Sequence, residues 1–211
     1  MFLLKVLYDG KQNNHFHGCI FSSNTEFLND MALTFDIGGN GMKIRFAVAQ
    51  TSYLGWLLVA ATDRGVCFLI MGDDPETLQG LVRKKFPRAE IQTHDAALAE
   101  IVARVVSFVE SPRLGLELPL DIQGTPFQKR VWIALQEIPQ GATVSYSQIA
   151  ARIGRPKAVR AVAAACAANP VALVVPCHRV IRRDGNLAGY YWGIDRKRAL
   201  LKREAEEVFG E

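Results

Sequence analysis

Two adjacent side chains in the stretch VVPCHRVI, Cys177 and His178, are the residue types of a nucleophile and its base. Only a thiolate attacks carbon well, so a reactive cysteine needs a base or a positive charge to bring its pKa below about 8.5. His178 and Arg179 could supply both. In a regular strand, however, neighbours point to opposite faces, so adjacency alone does not put imidazole on sulfur. Either the backbone turns at Pro176 or a water bridges the two groups. An acid from the last helix, with Glu204 best placed by pattern, would hold the histidine tautomer. The bland alternative is a buried, inert thiol at a strand end, and the pair by itself leaves both readings open.

Other constellations are weaker. His15-x-His17-x-Cys19 offers three soft ligands, yet no fourth has the spacing of a metal site, so no metal and no cofactor is expected. Cys166 in an Ala-rich helix and Cys67 in an apolar strand read as core thiols. Asp73-Asp74 reads as a helix N-terminus, which prefers acids for dipole reasons alone.

The elements that must position these residues fall into two groups. Residues 1–41 alternate polar clusters with short apolar runs and end in IGGNG, which predicts a poorly structured segment. From Met42, KIRFAVAQ and LGWLLVAATDRGVCFLIMG predict two or three antiparallel strands broken at Gly55 and TDRG. Asp73-Asp74-Pro75 opens a helix that Pro87 ends, and Ala96–Glu110 repeats apolar residues at helical spacing. LELPLDI predicts a short strand within a linker, so residues 42–120 form a small α/β domain. Residues 121–211 read as mainly helical. Thr125 caps a helix with Pro126 at its first position. Ser145 caps a second helix over Tyr146–Ile153, Gly154 breaks it, and Pro156 starts a third, PKAVRAVAAACAAN. Two short helices around a glycine turn make a helix-turn-helix candidate, with Lys157 and Arg160 near the N-terminus of its second helix. VALVV predicts a buried strand running into Pro176-Cys177-His178, and a last helix covers roughly Asp195–Val208.

The chain of 211 residues is 49% hydrophobic, enough for one large or two small cores. Four irregularly spaced cysteines, with neither a secretory signal nor an apolar run of roughly 18 residues, predict a cytoplasmic protein with free thiols and no membrane span. The net charge of +4 is uneven. Residues 1–120 carry 11 Lys and Arg against 13 Asp and Glu, whereas residues 121–211 carry 14 against 8. A basic C-terminal part suggests a polyanionic partner such as nucleic acid.

PCHRV, preceded by SYSQIAARIGRPKAVRAVAAACAANP and followed by GYYWGIDRKRALLKREAE, closely resembles the O6-alkylguanine-DNA alkyltransferases, or methylated-DNA–protein-cysteine methyltransferases. In texture it is most similar to the C-terminal part of the Ada-type adaptive-response proteins. The match runs from about Lys43 to Glu206 and is dense from Gly124 onward. The resemblance implies a ribonuclease-H-like N-terminal domain and a C-terminal domain with a winged helix-turn-helix. It also implies a monomer that approaches double-stranded DNA through the minor groove and moves the alkyl group of O6-alkylguanine, and of O4-alkylthymine, irreversibly onto its own cysteine. Cys177 then matches the acceptor, His178 the base acting through a water, and Glu204 the acid that orients it. Tyr146 matches the tyrosine that serves the flipped base and assists protonation of the leaving guanine. Arg160 matches the arginine that enters the vacated stack, with Lys157 and Ala161 beside it on the DNA-binding face. Asn169 supports the active-site turn, while Val180, Tyr190 and Tyr191 match the pocket wall.

Two departures stand out. Tyr191 occupies the place of an arginine in the Ada-type GYRWG, and an Ada-type zinc domain is not expected within these residues. Residues 22–41 faintly resemble the tail of the Ada-type regulatory domain, which suggests a remnant of it. The competing functions are a lesion sensor that binds alkylated DNA without removing the alkyl group, and a cysteine hydrolase.

Overall fold

The computed structural model describes residues 41–92 and 96–209. The expectations for residues 1–40, including the His15, His17 and Cys19 set and most of the proposed regulatory remnant, lie outside the described residues.

Three strands follow one another as an antiparallel meander: β1 (Lys43–Gln50), β2 (Trp56–Thr62) and β3 (Gly65–Gly72). The chain then crosses the sheet as helix α1 (Pro75–Lys85) and returns as β4 (Glu90–Gln92), parallel to β1. The sheet order is therefore β3-β2-β1-β4 and the sheet is mixed, not purely antiparallel as the sequence suggested. The helical crossover is the reason, because it brings the chain back in the direction of β1. The Asp74 carboxylate caps α1 by accepting from the Thr77 amide at 2.7 Å. Helix α2 (Ala96–Glu110) also packs on the sheet. All but one residue of β2 and of β3 is buried, so both faces of this part of the sheet are covered.

LELPLDI forms no strand. Pro119 has no amide to donate, and the segment makes a single bridge, in which Val66 donates to the Pro119 carbonyl and accepts from the Asp121 amide. Further along β3, Leu69 donates to Pro170 and accepts from Ala172, at 2.9 and 3.0 Å. The outer edge of the sheet thus carries both the linker and the loop that precedes Cys177.

The C-terminal part begins with α3 (Pro126–Gln136), closed at its start by a reciprocal pair in which Thr125 and Gln128 each bond the other's backbone. The same device, from Ser145 and Gln148, opens α4 (Tyr146–Arg152). After α4 the amides of Gly154 and Arg155 bond back to Ala151 and Ala150, with Gly154 at φ 70°. This Schellman ending turns the chain sharply and needs the left-handed conformation that glycine tolerates. Helix α5 starts only at Val159, because the Ala158 amide closes a turn on the Arg155 carbonyl; Pro156 and Lys157 lie in that turn, not in the helix as expected. The Trp132 indole of α3 donates to the Ala165 carbonyl of α5 at 2.9 Å and so fixes the helix pair from below.

VALVV is also not a strand. Leu173 has φ 71°, and the Cys177 amide bonds the Val175 carbonyl at 2.8 Å around Pro176, whose φ of −80° and ψ of 63° make an inverse γ-turn. A 3-10 turn (Cys177–Arg179) follows, then the two-residue strand β6 (Val180–Ile181), which pairs in parallel with β5 (Val144–Ser145). Helix α6 (Ile194–Phe209) completes the fold and docks on the first domain, where Arg196 donates to the Leu54 carbonyl at 2.7 Å. No described helix is long and apolar enough to cross a membrane.

Candidate active site

The γ-turn at Pro176 resolves the geometric problem posed by adjacent Cys177 and His178, because it breaks the extended backbone just before them. Asn169, 3% exposed, holds this turn: its Nδ2 donates to the Val175 carbonyl at 2.7 Å and to the Cys177 sulfur at 3.2 Å, while its Oδ1 accepts from the Val171 amide at 3.1 Å. Burial pushes the Cys177 thiol up, against the opposing pull of the Asn169 donor and the Lys197 cation. The resting group is a protonated thiol, not the thiolate that reactivity demands, so a base must act during any attack.

His178 and Glu204 are wholly buried and joined at 2.9 Å between Nε2 and Oε1. Burial alone would raise the Glu204 carboxyl, but its bonds from His178 and Arg179 hold it down, at about 2. An ionised carboxylate only accepts, so Nε2 carries the proton and Nδ1 carries the lone pair. Nδ1 meets no protein partner. Burial also holds the imidazole below its ordinary pKa, with the Glu204 bond opposing, so His178 is a neutral base. Arg179, which the sequence offered as a charge for the thiol, turns away from it. Its Nε donates to Glu204 at 2.9 Å, its Nη2 at 2.8 Å, and its Nη1 to the Ile138 carbonyl at 2.7 Å.

A residue that sequence reasoning missed supplies positive charge instead. Lys197, fully inaccessible, donates from Nζ to the carbonyls of Val180 and Leu187, both at 2.5 Å, and lies 6.0 Å from the centre of the Tyr190 ring. It thereby ties the segment after Cys177 to the loop before α6. Burial pulls its ammonium below the ordinary value, with nearby Cys177 and Cys166 opposing. In the basic run DRKR nothing distinguishes it from a solvated helix residue; only its helical register with Leu200 and Glu204 hinted at an inward face.

The thiol opens into a cavity of about 810 Å³ between α5 and the loop before α6. Tyr146, Arg160, Asn169, Cys177, Tyr190 and Tyr191 all line it, so the structure brings together most of the residues singled out in the sequence. Cys166, read as an inert core thiol, lines it too. Burial keeps its thiol well above the ordinary pKa, hence protonated. Val180 is buried behind the wall, and exposed Lys157 and Ala161 stand outside the cavity beside Arg160. Burial pushes the Tyr146 phenol up to about 12, so it is a proton donor at neutral pH. Tyr190 is partly buried as a residue, and its hydroxyl is buried close to the Cys177 sulfur without a well-formed hydrogen bond. Tyr191 packs edge-on against Trp192, with ring centres 4.4 Å apart.

Comparison with known proteins gives a consistent set of matches. Residues 126–206 match the family described as 6-O-methylguanine DNA methyltransferase, DNA binding domain. The chain is 49% identical over 181 residues to the bifunctional transcriptional activator/DNA repair enzyme Ada of Escherichia coli, covering 86% of this chain and 51% of that protein. It spans about half the length of that relative. The inducible methylated-DNA–protein-cysteine methyltransferase of Bacillus subtilis is 43% identical over 154 residues, which cover 71% of this chain and 86% of that one. Among solved structures, Mycobacterium tuberculosis OGT in complex with DNA has 37% identity and a TM-score of 0.65, over 78% of this chain and 94% of that one.

Proposed function

The chain belongs to the methylated-DNA–protein-cysteine methyltransferase family, and on that premise we propose that it repairs DNA by moving the alkyl group of O6-alkylguanine, and of O4-alkylthymine, onto Cys177. One observation carries this reading: a buried thiol, with a neutral histidine and an ionised glutamate behind it, opens into a cavity walled by helix α5.

The reacting base is extruded from duplex DNA into the cavity, at a cost of a few kcal/mol of lost stacking. Arg160, exposed on α5, fills the gap in the stack, and the low alanine surface of α5, Ala161 included, admits the minor groove. Lys157 contacts the backbone. Inside, the thiol proton passes through a water to Nδ1 of His178. Glu204 stabilises the resulting imidazolium while sulfur attacks the alkyl carbon. The carbon–O6 bond breaks, its electrons stay on guanine, and the Tyr146 phenol donates a proton to the leaving base. Asn169 holds the sulfur in place; Tyr190, Tyr191 and the backbone at Val180 shape the guanine pocket. The product is a thioether, chemically inert, so each molecule acts once.

The sheet order β3-β2-β1-β4, with a helical crossover to a parallel fourth strand, supports a ribonuclease-H-like N-terminal domain over residues 42–120. The turn after β6 acts as the wing of the helix-turn-helix in residues 121–211. The protein works as a cytoplasmic monomer. The free thiols of Cys67, Cys166 and Cys177 suit a reducing compartment.

Cys177→Ala tests the chemistry apart from recognition. It is expected to abolish methyl transfer from duplex DNA while leaving the affinity for that duplex within about 3-fold, since a buried thiol meets no phosphate. Retained transfer would sink the role of Cys177. Tight lesion binding by the wild type with no transfer would favour the lesion sensor instead.

A further inference from the structure

Two cations line the cavity among the described residues, Arg160 and Arg182. Only the first has a part in the proposed transfer. Arg182 follows β6 directly, and its backbone is fixed: its amide donates to the Asn186 carbonyl at 2.8 Å and its carbonyl accepts from the Gly185 amide at 3.0 Å. Its side chain is nonetheless exposed. The nearest acid in sequence, Asp184, accepts from the Asn186 amide at 3.0 Å, and Arg182 forms no ion pair among the described residues. A guanidinium held over an apolar-walled cavity without a carboxylate partner is a ready anion contact. Its planar fork matches a phosphodiester in a bidentate way.

Geometry selects the anion. A base whose O6 meets Cys177 must leave its sugar and flanking phosphates at the opening of the cavity. Arg160 is committed to the base stack, so it is not available to them. Arg182 sits near enough to Tyr146 for its charge to act on the phenol, which puts it beside the nucleotide that Tyr146 serves.

We propose that Arg182 clamps a phosphodiester flanking the extruded nucleotide and holds the rotated backbone while the base reacts. This rests on reading the cavity as the site of an extruded base. The clamp is a positioning contact: it touches the backbone of the substrate, not the reacting atoms.

The test compares wild type, R182A and R182K on three substrates: a duplex with one O6-methylguanine, the same duplex with uncharged methylphosphonates flanking the lesion, and the nucleoside O6-methyl-2′-deoxyguanosine. The ratio of the duplex rate constant to the nucleoside rate constant is expected to fall about 10-fold or more in R182A and to recover in part in R182K. The slope of log affinity against log salt should lose about one unit. The methylphosphonate duplex should slow the wild type to the R182A level and slow R182A no further. Equal losses on duplex and nucleoside, or losses that simply multiply on the methylphosphonate duplex, would overturn the clamp. No transfer by the wild type from the ordinary duplex would overturn the transfer reading itself, and the clamp with it.

Discussion

Glu204 takes four contacts at a depth water does not reach, accepting from His178, from Nε and Nη2 of Arg179, and weakly from the Gly141 amide at 3.4 Å. Its carboxyl lies at about 2 against an ordinary value of 4.5, so the folded state binds fewer protons there than the unfolded state. That difference stabilises the fold above pH 4.5 and is lost as pH falls towards about 2, an effect on the order of 3 kcal/mol. Glu204→Gln should therefore unfold more readily at pH 7 by that order, and the gap to the wild type should close near pH 2. Denaturant melts at both pH values check this; a gap independent of pH would show that the carboxylate charge is not the stabilising element. Alkyl transfer by the variant should slow by about 10-fold or more, because the imidazolium loses its counter-charge. At this scale the sequence was most legible where residue type and helical position suffice: Cys177, His178 and Glu204 could be matched because α6 presents Glu204 inward. Lys197 escaped notice because its burial depends on two carbonyls, Val180 and Leu187, that only the folded chain brings to it.

Helix starts that rest on a capping side chain could be read well from the sequence: Asp74, Thr125 and Ser145 all cap where expected, whereas α5, which has no side-chain cap, starts at Val159 instead of Pro156. Strands depend on partners, which is why LELPLDI and VALVV were misread and β4 was missed. In those segments Pro119, Pro176 and the left-handed Leu173 divert the backbone into single bridges and turns. Two glycines make the local rule testable with opposite signs. Gly154 has φ 70° with open space around a would-be Cβ, so Gly154→Ala should cost about 1–2 kcal/mol of stability from backbone strain alone. Gly80, inside α1 and equally uncrowded, should gain roughly 0.5–1 kcal/mol when changed to alanine. Melting of both variants checks the pair; a stabilising Gly154→Ala would refute the left-handed turn between α4 and α5.

The two halves of the molecule meet at the edge of β3, and this couples the proposed chemistry at Cys177 to the first domain. Val66 and Leu69 carry the linker and the loop before Cys177, while Arg196 and Arg203 of α6 donate to Leu54 and Glu110. The amides of Val66 and Leu69 should exchange hydrogen only in the same opening as the β2 amides. Faster exchange at those two positions would mean that the halves open independently. Charge asymmetry at this scale was plain in the sequence, whereas the covered sheet edge was not, since it joins Val66 to Leu120 and Leu69 to Val171, far apart along the chain. The central claim is that Cys177 is consumed by the reaction. Titrating the protein with duplex DNA bearing O6-methylguanine and reading intact mass, then mapping the modified peptide, tests it directly. The account requires transfer to stop at one methyl per protein molecule, all of it on Cys177; repeated turnover, or methyl on any other residue, would contradict it.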